Sequence, residues 1–217
     1  MPDDRRSVSS KIRKFLALPF HGKTNALQAV LIVGKGRFYY RRFFGNFGSR
    51  TLLFKPERLV NPRFLHIGDR TMIGHGAHIE IISEYANVQY SPKVEIGSNV
   101  YIGPHLYMVC VGRVSIGDRS VLSEHVYIHD NNHGFDPTHG PIMQQKLVHS
   151  GDITIGKDCF LGYRTAILPG VTLGDHCVVG TGAVVTKSFP SFSMIAGVPA
   201  ILLKRYSFEE EAWVRVG

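Results

Sequence analysis

Imidazole side chains are concentrated in one short stretch of this chain. His129, His133, His139 and His149 fall between Ile128 and Ile153, in the company of Asp130, Asn131, Asn132 and Asp136. An imidazole titrates near neutrality, so it can take a proton from an attacking hydroxyl at physiological pH. The segment IHDNNHG (128–134) sets His133 behind a polar turn sequence. Asp130 is near enough in sequence to orient an imidazole, or to accept turn amides instead. Asn131 and Asn132 offer amides to hydroxyl groups or simply tolerate turn backbone, and His129, directly after Ile128, is placed to face outward. A second chemistry needs weighing. Zinc takes three protein nitrogens at about 2 Å with a fourth position open, and His105, His129 and His133 are the set to consider. The 129–133 spacing on a turn argues against it.

These residues must be held by something with a short period. Six hexapeptides stand end to end between Ile155 and Pro190: IGKDCF, LGYRTA, ILPGVT, LGDHCV, VGTGAV and VTKSFP. Related pieces appear at 67–78, 96–107 and 116–127. A helix of period 3.6 would carry the leading aliphatics around its cylinder, so a fixed period of six excludes it. Hexads of this kind build parallel β-helices, with three hexads to a triangular coil and the leading aliphatics stacked inside. The expected helix starts near Asn61. SEYANVQYSPK (83–93) reads as an excursion, and a two-residue phase shift between Ile102 and Ile116 reads as a longer corner. Ile128 and Ile153 lie 25 residues apart, not a multiple of six, so 129–152 must leave the coil as a loop. Long loops in compact repeat proteins are often functional.

The repeat array, the loop IHDNNHG and the exit VVGTGAVVTKSFPSFSMIAGVPA (178–200) together resemble the hexapeptide-repeat acyltransferases. More narrowly, the chain is similar to O-acetyltransferases related to galactoside and maltose acetyltransferases and to those of bacterial polysaccharide synthesis, over roughly residues 61–205. The resemblance implies an all-β fold, a left-handed parallel β-helix. It also implies acetyl-CoA as co-substrate without a metal, and a homotrimer with sites between neighbours. His133 aligns with the family's catalytic histidine and would act as general base, with Asp130 beside it. On the donor side, the backbone N–H of Tyr163 would stabilise the thioester oxyanion. Gly162, Phe160, Thr181, Gly182, Thr186 and Lys187 would line the donor channel, and Lys204 and Arg205 would contact phosphate. His105 stands where the family uses an acceptor-binding asparagine, a departure that bears on acceptor identity. Asn131, Asn132 and His129 complete the expected acceptor side.

Composition bounds the remaining choices. With 217 residues, 44% hydrophobic and 19% charged, the chain is a folded protein of one domain or one domain with appendages. No apolar run reaches the roughly 18–20 residues of a membrane span, and no secretory signal is evident, so the expected location is cytoplasmic, with the inner membrane face a further option. A net charge of +8 favours anionic partners, though no nucleic-acid motif accompanies it. Cys159 and Cys177 both stand fifth in their hexads and read as buried core thiols. The expected organisation is an extension or cap at 1–60, the β-helix at 61–205 with its inserted loop 129–152, and a tail at 206–217. The extension is basic and aromatic, with KIRKFLALPF (11–20) and GRFYYRRFFGNFGSR (36–50), and either caps the first coil, meets a subunit or touches an anionic membrane. ILLKRYSFEEEAWVRVG (201–217) packs back or caps the end, with a helix as one option. The expected activity is that of an O-acetyltransferase acting on a sugar of surface polysaccharide or lipopolysaccharide. An N-acyltransferase on an amino sugar and a non-catalytic β-helix scaffold are the alternatives.

Overall fold

A computed structural model describes residues 36–216, together with Leu31 and Gly34. Short strands succeed one another around three parallel sheets, each hexad supplying one strand and one corner. Strand register stacks one aliphatic of each coil on the next. Phe47, Ile67, Ile96, Ile116, Ile155 and Leu173 form the inner column of the first sheet. Leu53, Ile73, Ile102, Leu122, Leu161, Val179 and Ile195 form that of the second. Leu59, Ile79, Met108, Ile128, Ile167 and Val185 form that of the third. Apart from Leu59, which packs partly buried against the core, every one of these side chains is buried. Burying such a side chain is worth about 1.5–3 kcal/mol, so the columns carry the fold.

The corner between the first and second sheets has its own inner column of small polar residues. Thr51, Thr71 and Ser120 donate to the carbonyls of Gly68, Gly97 and Gly156 in the coil that follows each of them, at 2.6, 2.7 and 2.8 Å. Cys159 and Cys177 hold the same place, their thiols 3.2 Å from the Gly174 carbonyl and 3.3 Å from that of Pro190. Both are buried, as the hexad position implies. Cys159→Ser is therefore expected to keep the donor and stay within about 1 kcal/mol of wild type. Cys159→Ala, which leaves the Gly174 carbonyl without it, should cost more, about 1–3 kcal/mol. Urea unfolding of the two variants checks the order.

Three expectations change, and a fourth is filled in. The β-helix begins at Asn46, not Asn61: strands Asn46–Phe47, Leu52–Leu53 and Arg58–Val60 complete a coil of their own. Phe47, Leu53 and Leu59 keep the six-residue spacing, and only the Ile-Gly spelling is missing. The two extra residues between Ile102 and Ile116 do not form a longer corner. They lengthen the strands on either side of it, Tyr107–Cys110 and Arg113–Ile116, to four residues each. The segment after Ala200 is neither helix nor tail. Ala200–Ser207 and Ala212–Arg215 add two antiparallel strands to the second sheet, so a boundary at 205 would cut a strand. The excursion at 83–93 holds a β-hairpin, Glu84–Tyr85 against Val88–Gln89.

At the other end, Tyr40, Phe44 and Phe47 pack together with ring centroids 5.2–5.3 Å apart and join the core. They cover the first coil, which an open solenoid end requires. Phe43, Arg41 and Arg42 on the same segment stay exposed. The basic stretch at 11–20 and the apolar run at 26–33, apart from Leu31, lie outside the described residues. Among the described residues no helix is long and apolar enough to cross a membrane.

Candidate active site

The long loop leaves the third sheet after Tyr127–His129 and returns to the first at Ile153–Ile155. Its root is an antiparallel pair, Asn131–His133 against Leu147–His149, with His133 directly opposite Leu147. Strand alternation divides the candidate residues between two faces. Asn131, His133, Leu147 and His149 share one face, and Asn132 and Val148 share the other. Asn132, Gly134, Phe135, Lys146, Val148 and Ser150 line a concavity of about 910 Å³ on that second face. Asn132 and His133, neighbours in sequence, therefore address different spaces.

Asp130 is fully buried and is the anchor of this root. Its carboxylate accepts the backbone N–H of Val111 at 2.9 Å and of Gly112 at 2.8 Å. It also accepts the side-chain amide of Asn131 at 3.0 Å and the Cys110 thiol at 3.3 Å. Burial, and then the Asp130 charge, push the Cys110 thiol far up. No imidazole is among these partners. Of the two readings the sequence allows, the structure favours the acceptor of turn amides over the orienter of His133. Asn131, buried and bonded to Asp130, belongs to the same anchor and not to an acceptor surface. Gly112 lies against the His149 ring, which a Cβ there would have to displace.

His133 and His129 are both partly buried, and the Nδ1 of each is buried without a hydrogen-bond partner among the described residues. The His133 ring meets Tyr85 edge-on, with centroids 5.6 Å apart. The His129 ring lies 4.8 Å from Tyr127. Burial lowers the His129 pKa below the ordinary imidazole value, against a smaller opposing pull from the Asp130 charge. Folded His129 therefore binds fewer protons than unfolded His129. Its share of stability is complete above about pH 6.5 and is lost as pH falls through the lowered folded value. His129→Gln is expected to flatten that acid slope in thermal melts from about pH 7 to about pH 5. An unchanged slope would assign it to another group.

His105 is an exposed corner residue in the left-handed region, φ 59°. It stands in a ladder that sequence reading missed. His75 meets it edge-on at 5.0 Å, His125 stacks on it at 4.8 Å, and Tyr163 lies 5.5 Å beyond His125. Arg164 reaches over the Tyr163 ring at 5.2 Å. His125 follows His105 by one coil, so counting coils would have found it. A second ladder runs beside the first: His78 stacks on Tyr107 at 4.4 Å and Tyr107 on Tyr127 at 5.2 Å. Among the described residues no group of three His, Cys, Asp or Glu side chains could hold a metal.

The corner that carries Tyr163 differs from the one on the opposite side of the second sheet. There, Asp69, Ser98, Asp118 and Asp175 accept the backbone N–H of Ser49, Asp69, Ser98 and Lys157 from the neighbouring coil. At the Tyr163 corner His75, Pro104, Glu124, Tyr163 and Thr181 hold the corresponding place; among the described residues none of their side chains accepts an N–H of the neighbouring coil, and the Tyr163 N–H has no partner. Gly162 is buried against Thr181, where a Cβ would meet the Thr181 nitrogen at 2.7 Å. Gly182 takes φ 71° and donates to the Tyr163 carbonyl. Phe160 is exposed on the outer face of the second sheet. Thr186 and Lys187 are exposed after Val184–Val185, with the Lys187 ammonium 5.7 Å from the Phe189 ring. Lys204 and Arg205 are consecutive in a strand and so point to opposite faces. No hydrogen bond or ring contact among the described residues links His133 to the Tyr163 corner.

Three parallel sheets of hexads, interrupted by a long loop bearing a half-buried histidine, make up a hexapeptide-repeat β-helix. Residues 152–187 match the family model described as the hexapeptide repeat of succinyl-transferase. A protein of Escherichia coli K12 named as a lipopolysaccharide biosynthesis O-acetyl transferase, WbbJ, is 33% identical over 121 residues. The alignment covers 53% of this chain and 62% of WbbJ, less than two thirds of that relative's length. The galactoside O-acetyltransferase of the same organism is 29% identical over 150 residues, covering 69% of this chain and 68% of the enzyme. In fold, the chain is similar to AntD, an N-acyltransferase from Bacillus cereus, with TM-score 0.62 and 21% identity over 78% of this chain and 88% of that one. The chain thus carries that family's hexapeptide repeat at 152–187 and is similar to O-acetyltransferases over 53–69% of its length.

Proposed function

We propose that this protein transfers acetyl from acetyl-CoA to a sugar hydroxyl, in the synthesis of bacterial surface polysaccharide or lipopolysaccharide. His133 is the general base that removes the acceptor proton, and the Tyr163 N–H receives the charge that develops on the thioester oxygen. The carrying observation is that Tyr163 N–H, which among the described residues is left without an acceptor. The names of WbbJ and the galactoside enzyme support oxygen as the acceptor atom and glycan as the substrate class. Phe160, Gly162, Thr181, Gly182, Thr186 and Lys187 line the donor channel. Of the two terminal cations, Lys204 shares the outer face of Met194 and Phe160, which favours it over Arg205 as the phosphate contact. The ladder His75–His105–His125 forms the acceptor wall next to Tyr163.

The β-helix is left-handed and works as a homotrimer. The outer face of the first sheet carries Lys93, Glu95 and Arg113, whereas the second and third expose Tyr101, Phe160, Tyr107 and Tyr127. One apolar face, one aromatic face that also holds the Arg58–Glu80 ion pair, and one charged face suit a subunit flanked by two neighbours. His133 of one subunit would then complete the Tyr163 corner of the next. The enzyme works in the cytoplasm, at the inner membrane face where its acceptor is lipid-linked, with the exposed Phe43, Arg41 and Arg42 turned to the lipid. Acetyl-CoA-dependent thiol release over a panel of sugars, amino sugars and nucleotide sugars, alongside a native mass measurement, tests the proposal. Release stimulated by a neutral sugar from a three-chain particle supports it. Stimulation by amino sugars alone would move the reaction to nitrogen, and failure to bind acetyl-CoA would leave a scaffold.

A further inference from the structure

The sequence departs from the hexad pattern at 83–93 and again at 129–152, and the two excursions meet. The hairpin of the first turns tightly through Ala86 and Asn87, both left-handed, with φ 48° and 60°. That is the two-residue turn which matches strand twist, although it normally selects Asn or Gly at both places. Asn61 fixes the root of this hairpin, its side-chain amide donating to the Ile81 carbonyl at 2.8 Å. From this base two phenols reach the loop. Tyr85 Oη donates to the Met143 carbonyl at 2.7 Å, and Tyr90 Oη donates to the Leu147 carbonyl at 2.9 Å. Leu147 is the residue directly opposite His133, and Met143 lies in the 3-10 turn Ile142–Gln144 further out. The excursion therefore grips the loop at two points, and between them the Tyr85 ring stands edge-on to the His133 ring.

We infer that Tyr85 is the positioning residue of His133, acting through ring contact and through its bond to the loop. This rests on the reading of His133 as the base. A histidine base is usually fixed by an acceptor on its second nitrogen. His133 Nδ1 is buried and has no such partner among the described residues, and Asp130, the nearest carboxylate in sequence, is committed to Val111, Gly112 and Asn131. Ring orientation then falls to packing, and Tyr85 is the aromatic side chain in contact. A reacting group displaced by about 1 Å can lose about a hundredfold in rate.

The test compares Tyr85→Phe and Tyr85→Leu in the full chain. Two readouts are used: steady-state kinetics with an acceptor from the panel, and imidazole NMR of histidine-labelled protein, with His133 assigned through His133→Ala. Tyr85→Phe keeps the ring and loses the Met143 bond, so kcat should fall by less than about tenfold. Tyr85→Leu should lower kcat by about 30- to 100-fold with the acetyl-CoA KM within about twofold, and should shift or broaden the His133 ring signals. Equal losses in Phe and Leu variants would overturn the ring contact. So would His133 signals that Tyr85→Leu leaves unmoved. The NMR arm needs no turnover, so it reports on Tyr85 even where the transferase reading itself fails. That reading fails separately, when His133→Ala retains full activity.

Discussion

His133→Ala is expected to lower acetyl transfer by about two to four orders of magnitude, the range for removing a positioned general base. The size follows from what the side chain does and does not hold together. Among the described residues its Nδ1 has no partner and its ring contact is with Tyr85, so its removal breaks no side-chain hydrogen bond there. The backbone pairing with Leu147 survives the substitution. Thermal stability should therefore stay close to wild type while turnover collapses, a split that a structural histidine would not produce. The donor corner is built from other residues, so acetyl-CoA affinity should hold. His133→Gln fills the same space with a hydrogen-bonding group that cannot take a proton at neutral pH, and it should be as inactive as the alanine variant. Thiol-release rates, melting curves and acetyl-CoA titration of both variants check this. Turnover like wild type in either would remove His133 from the mechanism.

The β-helix was legible because its inward positions recur every six residues, and packing offers one way to satisfy that period. The first coil escaped because Phe47, Leu53 and Leu59 keep the spacing without the Ile-Gly spelling that makes a hexad easy to see. The terminal strands escaped because they leave the period altogether and reverse direction at Gly197, with φ 103°. Within the candidate site, motif and register single out His133 and the Tyr163 corner for the proposed roles. The roles of Asp130 and Asn131 were not, because polar residues in a loop sequence read alike whether they face solvent or sit in the core. Tyr85 and Tyr90 were further out of reach. Their bonds to Met143 and Leu147 join segments 58 and 57 residues apart, a contact that no local pattern encodes.

Asp130→Ala should have the largest effect on the fold of any single change near the site. A buried carboxylate accepts two backbone N–H groups, a side-chain amide and a thiol. Its loss leaves the Val111 donor, which is buried, and the part-buried Gly112 donor without partners. Each orphaned group costs about 1–3 kcal/mol, so the expected loss is about 2–5 kcal/mol. For a chain of this size that is a fall of roughly 5–15 °C in melting temperature. Asp130→Asn keeps one acceptor oxygen and replaces the other with a donor that faces the Gly112 or Val111 N–H, so it should lie between wild type and alanine. The damage should be local before it is global. Val111 and Gly112 form the corner from which the third sheet passes to the first, and the loop bearing His133 starts at Asp130 itself. Loosening this corner frees the loop root while the aliphatic columns hold the coils. Limited proteolysis should accordingly cut Asp130→Ala within 134–146 at temperatures where the β-helix is intact, and acetyl transfer should fall with loop protection. Uniform loss of stability without earlier cleavage of the loop would show that Asp130 serves the β-helix alone, and would separate the anchor from the site it appears beneath.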